Sequence, residues 1–199
     1  MSRPWYRLNI DISNAVRADF DFDKLYAESE FAGKPIGLWA YFQDQLTEVV
    51  NDTWLSNMSE QGLVPTGIMI FYRQPYYVTP EAHIDIRKNN AVAVYAINWV
   101  VSPNDDSEMI WFDMPASRGI EDITPASTLY KSWPMGELTE ISRCCLGEIP
   151  TLVNIGIPHN VIVRSQPRWV ISVRFQFEEH ILDWEAAVNS LQNFIITPL

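Results

Sequence analysis

Arg168-Trp169-Val170-Ile171-Ser172-Val173-Arg174-Phe175-Gln176-Phe177 is the stretch on which the fold turns. Every second residue is large and apolar: Trp169, Ile171, Val173, Phe175, Phe177. Side chains alternate across a strand, so the spacing predicts a strand with one apolar face and one face carrying Arg168, Val170, Ser172, Arg174 and Gln176. The apolar face suits packing under helices. The other face sends two arginines into a cleft or out into water. Inside a cleft a guanidinium needs an anionic partner, and a carboxylate held bidentately is the natural one.

The same period extends back to Gly67. Short runs rich in Val, Ile, Tyr and Trp predict strands near 67–73, 82–87, 91–101, 108–113, 138–146 and 151–164. Lys88-Asn89-Asn90, Pro103-Asn104-Asp105-Asp106 and Ser165-Gln166-Pro167 read as turns between them. Before Gly67 the period changes. Trp39, Phe42, Leu46, Val50 and Trp54 recur every three or four residues, which predicts a helix over 37–61 stopped by Gly62 and Pro65. Residues 1–36 read as an irregular arm. Its Asp19, Asp21 and Asp23 form a solvated acidic face without calcium-loop spacing. Leu182, Ala186, Val188 and Leu191 predict a C-terminal helix within 181–194.

The expectation is therefore a mainly β (α+β) chain, an antiparallel sandwich or jelly roll with helices covering one sheet. It divides as a single domain over 1–199, with arm and supporting helix in 1–66, the β core in 67–177 and a C-terminal helix in 178–199. Strands and helices do not alternate, and neither GxGxxG nor GxxxxGK[ST] occurs, so dinucleotide and P-loop readings have no support.

Composition narrows the chemistry. The formal charge of -11 argues against an extended nucleic-acid surface, though not against a local basic cleft. The 2 Cys are the neighbours Cys144 and Cys145, which excludes a disulfide framework or a Cys-rich zinc site and suits a reduced, cytoplasmic setting. The N-terminal stretch has early charges and no apolar core, unlike a signal peptide. The longest apolar run, Ala91 to Val101, is interrupted by Asn98 and too short to span a bilayer, so no membrane partner is expected.

Only 3 His are available to any metal or acid–base site. His83 and Asp85 lie two apart in a strand-like run and so point the same way, the geometry for two ligands of one metal. A third ligand must come from elsewhere. His159 sits in another strand-like run, whereas His180 follows two glutamates at a strand-to-helix junction, a common place for a solvated histidine. Two imidazoles and one carboxylate leave about three positions open on an octahedral ion, the arrangement of non-haem Fe(II) oxygenases. The competing reading of the His-x-Asp pair is a strand with its polar face in water.

Taken together, these residues resemble the Fe(II)/2-oxoglutarate-dependent dioxygenases of the double-stranded β-helix fold. The family pattern is His-x-Asp, a distal His, then Arg or Lys roughly one strand further on. Here it reads His83-Ile84-Asp85, His159, and Arg168. Ala96-Ile97-Asn98-Trp99-Val100 and Met109-Ile110-Trp111-Phe112 are similar to the family's central strands, and the resemblance covers residues 67–177. It implies Fe(II) bound by His83, Asp85 and His159, with Arg168 on the distal carboxylate of 2-oxoglutarate. Arg174 would touch the near carboxylate, the substrate or a structural acid. Tyr72 and Asn98 become candidates for hydrogen bonds to 2-oxoglutarate. Some relatives carry a Tyr two before that Asn; here Ala96 stands there. Halogenase relatives lack the metal carboxylate, so Asp85 favours hydroxylation. The implied reaction consumes O2 and 2-oxoglutarate, releases succinate and CO2, and hydroxylates a C–H bond. Prolyl-hydroxylase-like and aspartyl/asparaginyl-hydroxylase-like relatives point to an amino acid, peptide or small metabolite as substrate. Tyr76, Tyr77, Trp111 and Trp133 could shape its pocket or serve as packing. The other classes open to the sequence are a non-catalytic jelly-roll binding module and a cupin-like metal enzyme that does not use 2-oxoglutarate.

Overall fold

Strand pairing governs most of this chain. The computed structural model describes residues 3–86, 94–102, 106–123, 129–176 and 183–196. Its strands are β1 (Trp5–Arg7), β2 (Ile36–Phe42), β3 (Val64–Arg73), β4 (Glu81–Ile86), β5 (Tyr95–Val100), β6 (Glu108–Phe112), β7 (Ile120–Ile123), β8 (Leu129–Pro134), β9 (Glu140–Cys144), β10 (Thr151–Asn154), β11 (His159–Ile162) and β12 (Arg168–Gln176). Among the described residues four short α-helices accompany them: α1 (Phe22–Ala27), α2 (Leu46–Val49), α3 (Asp52–Glu60) and α4 (Trp184–Ser190).

The strands form two antiparallel six-stranded sheets, ordered β1-β10-β5-β12-β3-β2 and β7-β8-β4-β11-β6-β9, an arrangement compatible with a β-sandwich. Four of the pairings nest inside one another: β3 with β12, β4 with β11, β5 with β10, and β6 with β9.

The alternation in β12 is borne out. Trp169, Ile171, Val173 and Phe175 join Ile68, Ile70, Ile97 and Trp99 in a cluster completed by Leu46, Val49, Trp54, Met58, Trp184 and Ala187 from the helices. Helices thus cover one sheet. Val170, on the opposite face, packs with Ala96, Val100 and Val153 against Met109 and Trp111 of the second sheet. That inner face is where Arg168, Ser172 and Arg174 lie.

The 37–61 segment is not one helix. Ile36–Phe42 pairs with β3 along its whole length, from Ile36 opposite Arg73 to Phe42 opposite Gly67. Those backbone bonds, and the burial of Trp39 against Phe31 and Trp169 at 5.0 and 5.6 Å, outweigh the helical spacing. Gln43 adopts φ 51° and ends the strand. Helix then runs only through α2, breaks at the extended Val50, and restarts where the Asn51 side chain accepts from the Thr53 amide. Gly62 does end α3, in the left-handed region at φ 78°.

The expected 151–164 run is two strands in two sheets. The Asn154 side chain accepts from the Gly156 amide at 2.9 Å, making the turn through which the chain leaves the first sheet for the second. Within the arm, Asp21 caps α1 by accepting from the Lys24 amide, and Asp19 pairs with Arg17. Of the C-terminal helix, α4 and a 3-10 turn at Gln192–Phe194 are seen. His180, Phe177, Leu182, the Lys88-Asn89-Asn90 turn and Pro103-Asn104-Asp105 lie outside the described residues. Among the described residues no helix is long and apolar enough to cross a membrane.

Candidate metal centre

The pairing of β4 with β11 places His83 directly opposite His159. Two histidines far apart in sequence thereby become a cross-strand pair with ring centroids 4.5 Å apart. Asp85 follows two residues along β4, on the same face, with Oδ1 3.8 Å from His83 Nε2. The structure thus brings His83, Asp85 and His159 together, with one donor atom from each within 4.8 Å of the others. Ala82, the alternate residue of β4, packs on the opposite face against Ile110 and Phe112. The donor set fits a metal ion. Ligands about 2.1 Å from a common ion stand about 3 Å apart when cis, which small side-chain rotations achieve from these separations.

The ring nitrogens are prepared for that role. His159 Nδ1 lies 3.0 Å from the Ile157 carbonyl oxygen. A carbonyl can only accept, so Nδ1 carries the proton and Nε2 presents its lone pair. Burial holds the His159 pKa below its usual value. Although a third of the His83 side chain stays accessible, the protein packed around it pushes its pKa down to about 3, and neighbouring His159 adds to the effect. Both rings are therefore neutral, the form that binds metal, near neutral pH.

Arginine lines the other side. Arg174 Nη2 is 3.5 Å from Asp85 Oδ2, and Nη1 donates to Ser172 Oγ at 2.7 Å. Arg174 therefore braces the carboxylate of the triad, the structural-acid role among its expected options. Arg168 is buried on the same face of β12, about 20 Å further along the strand, opposite Arg73. Asn98 lies on the inner face of β5 opposite Ser172, and its buried Oδ1 has no hydrogen-bond partner among the described residues.

Tyr72 is a correction. It sits on the helix-covered face of the first sheet, with its ring 4.8 Å from Trp169 and 4.4 Å from Tyr26. Alternation along β3 sends Tyr72 outward with Ile68 and Ile70, and Phe71 and Arg73 inward. Among the aromatic candidates, Trp111 is wholly buried, Trp133 donates to the Ser117 carbonyl, and Tyr76 is 76% exposed.

Two residues escaped the sequence reading. Arg73 donates from Nη1 to Asn160 Oδ1 at 3.2 Å and to the Val161 carbonyl at 2.5 Å. Asn160 is fully buried; its Nδ2 donates to the Thr79 and Glu81 carbonyls, and its Oδ1 also accepts from Thr79 Oγ1. Counting by twos along β3 would have found Arg73. Asn160 leaves no pattern, because its partners are scattered over Arg73, Thr79 and Glu81. The two cysteines form no disulfide and stay outside this chemistry; burial pushes the Cys144 thiol up to about 11. No family model matches the chain and no curated protein sequence matches it, which leaves the geometry of the site as the ground for a functional reading.

Proposed function

We propose that this chain is an Fe(II)- and 2-oxoglutarate-dependent oxygenase on a double-stranded β-helix, hydroxylating a C–H bond of an amino acid, peptide or small metabolite. The observation that carries the reading is the convergence of two neutral imidazoles and one carboxylate on an inner sheet face lined by arginines. A closed structural site would offer four protein ligands, whereas three leave room for a co-substrate and O2. The nested strand pairs support the fold part, since one long hairpin wrapped into a jelly roll pairs its strands in that order.

When bound, the iron with 2-oxoglutarate and O2 supplies the oxidative decarboxylation that drives C–H hydroxylation. The chain's own residues do the positioning. His83 and His159 present lone pairs, the latter aimed by its bond to Ile157. Asp85 supplies negative charge and is kept in place by Arg174, itself fixed on Ser172. Arg168 offers a guanidinium to a dicarboxylate from the same face. Asn98 offers an unmet polar atom beside Ser172.

Anaerobic titration with Fe(II) and 2-oxoglutarate tests the reading. A charge-transfer absorption requiring both components is expected. Absence of iron binding would sink the proposal and return the chain to the non-catalytic class. Iron binding indifferent to 2-oxoglutarate would make it a metal enzyme with another co-substrate.

A further inference from the structure

Among the described residues the two sheets end on the edge strands β1, β2, β7 and β9. An edge strand offers unpaired backbone groups to any other chain, and proteins guard it by brevity, charge or a cover. All but β2 are guarded. β1 is 3 residues long and covered by residues 194–196, where Asn9 donates to the Phe194 carbonyl and Ile196 donates to the Arg7 carbonyl. β7 carries Glu121 and Asp122, and β9 carries Glu140 and Arg143. β2, Ile36-Gly37-Leu38-Trp39-Ala40-Tyr41-Phe42, runs for 7 residues without a charge or a proline.

The direction of its open groups follows from its neighbours. The Pro35 carbonyl accepts from the Gln74 amide on the β3 side, whereas the Phe42 amide turns away from β3 to Gln45 Oε1. Backbone groups alternate in direction along an antiparallel strand. Leu38 and Ala40 therefore turn their N–H and C=O outward, and among the described residues no other backbone group bonds them. Phe31, Leu38, Trp39, Ala40 and Phe42 line an open groove beside this edge. Ile36 and Phe42, at its two ends, keep 39% and 48% of their surface exposed.

A second copy of β2 fits the edge. Laid antiparallel about a two-fold axis at Trp39, all 7 residues overlap. Leu38 of one copy then faces Ala40 of the other and exchanges both backbone bonds with it. Ile36 faces Phe42, so the exposed apolar ends cover each other. The same axis sets Lys34 of each copy beside Asp44 of its partner. Both side chains are exposed, and among the described residues neither forms an ion pair. We propose that this chain forms a two-fold dimer by pairing β2 with β2, with Lys34–Asp44 pairs at both ends fixing the register. The first sheets of the two copies become one continuous sheet. The pairing does not depend on the metal reading.

Sedimentation velocity on the full chain, from about 1 to about 200 μM, tests it. A reversible monomer–dimer equilibrium is expected. Leu38→Lys puts a charge at the centre of the pairing and should weaken the dimer by more than about 10-fold. Lys34→Glu sets a like charge against Asp44 at both ends and should weaken it about 3- to 10-fold. Adding Asp44→Lys reverses both partners and should restore the dimer to within about twofold of wild type. Lys34 and Asp44 are exposed, so their variants carry the test if Leu38→Lys does not fold. Wild type that stays monomeric at about 200 μM overturns the proposal and leaves the edge to a different partner. Open-ended association into larger species also overturns it, because a two-fold pairing closes at two copies. A dimer indifferent to Leu38→Lys, or a loss in Lys34→Glu that Asp44→Lys does not rescue, places the contact elsewhere and overturns it too.

Discussion

The two faces of β12 solve different problems with one strand. On the helix-covered side, Trp169, Ile171, Val173 and Phe175 belong to a large apolar cluster in which any well-packed hydrocarbon does the work. On the inner side, among the described residues, Val170 joins an apolar cluster, while Ser172 and Arg174 bond each other and Arg174 reaches Asp85. Hydrophobic burial is non-directional, so the first face constrains volume. Charge and metal coordination are directional, so the second constrains individual atoms. Stability and chemistry should therefore separate under mutation.

The strongest attempt to break that separation removes a metal ligand. His83→Ala and His159→Ala should each weaken Mn(II) binding by more than about 100-fold, since even the loss of an outer partner costs about 10- to 100-fold. Their urea midpoints should stay close to wild type. His180→Ala should leave Mn(II) affinity unchanged, and loss of binding in that variant would mean that the triad is misassigned. Ile171→Ala is the converse experiment. Ile171 is wholly buried on the other face, so its truncation should cost about 2–5 kcal/mol by denaturant unfolding. At a temperature where that variant remains folded, Mn(II) affinity should stay within about twofold of wild type. A large drop there would show that the helix-covered face also tunes the site.

Asn160 sharpens the comparison because it belongs to both problems. Its buried amide ties the 74–80 connection to β11 one residue beyond His159. Asn160→Ala leaves those carbonyls and the Arg73 contact without their partner, at a cost of about 2–4 kcal/mol. The backbone that carries His159 should loosen with it, and Mn(II) affinity should fall about tenfold. Stability lost with full metal affinity retained would make Asn160 a fold residue alone.

Legibility followed the same division. Strand period and its inward–outward parity could be read wherever one face is buried, which is why β12, β4 and β5 were found and why His83, Asp85 and Asn98 fell on the inner face. β7 escaped because all four of its residues are exposed, leaving no alternation to read. β2 was misread because Trp39 and Phe42 fit helical spacing, and only its pairing with β3 decides between the two periods. Arg73 was passed over, although alternation along β3 sets it on the face opposite Ile68, Ile70 and Tyr72. The turn at Asn154 that moves His159 into the second sheet depends on a side-chain bond that hydrophobic patterning does not show. Pairing of His83 with His159 is a long-range register that no local pattern shows; the resemblance implied only that the two share one metal.

The gentlest probe is the proton. In the unfolded chain both imidazoles titrate near about 6.5. In the fold both lie lower, His83 at about 3, with burial as the first cause for each. Between those values the unfolded chain takes up protons that the folded chain refuses, so acid favours unfolding. The metal-free protein should thus keep its full stability above about pH 7 and lose it as pH falls from about 6.5 toward 3. The slope cannot exceed about 1.4 kcal/mol per pH unit for each proton taken up. His83→Asn removes one of these groups and should flatten the decline, as read from urea midpoints at pH 5 and pH 7.5. Ile171→Val, from the other face, should lower the whole curve by about 1 kcal/mol and leave its slope alone. Other acids titrate in the same range, but they are common to all three proteins, so the difference between the slopes isolates the histidine. Equal slopes in wild type and His83→Asn would mean that the inner face accepts a charged imidazole as readily as water does, and the neutral rings on which the metal reading depends would lose their physical basis.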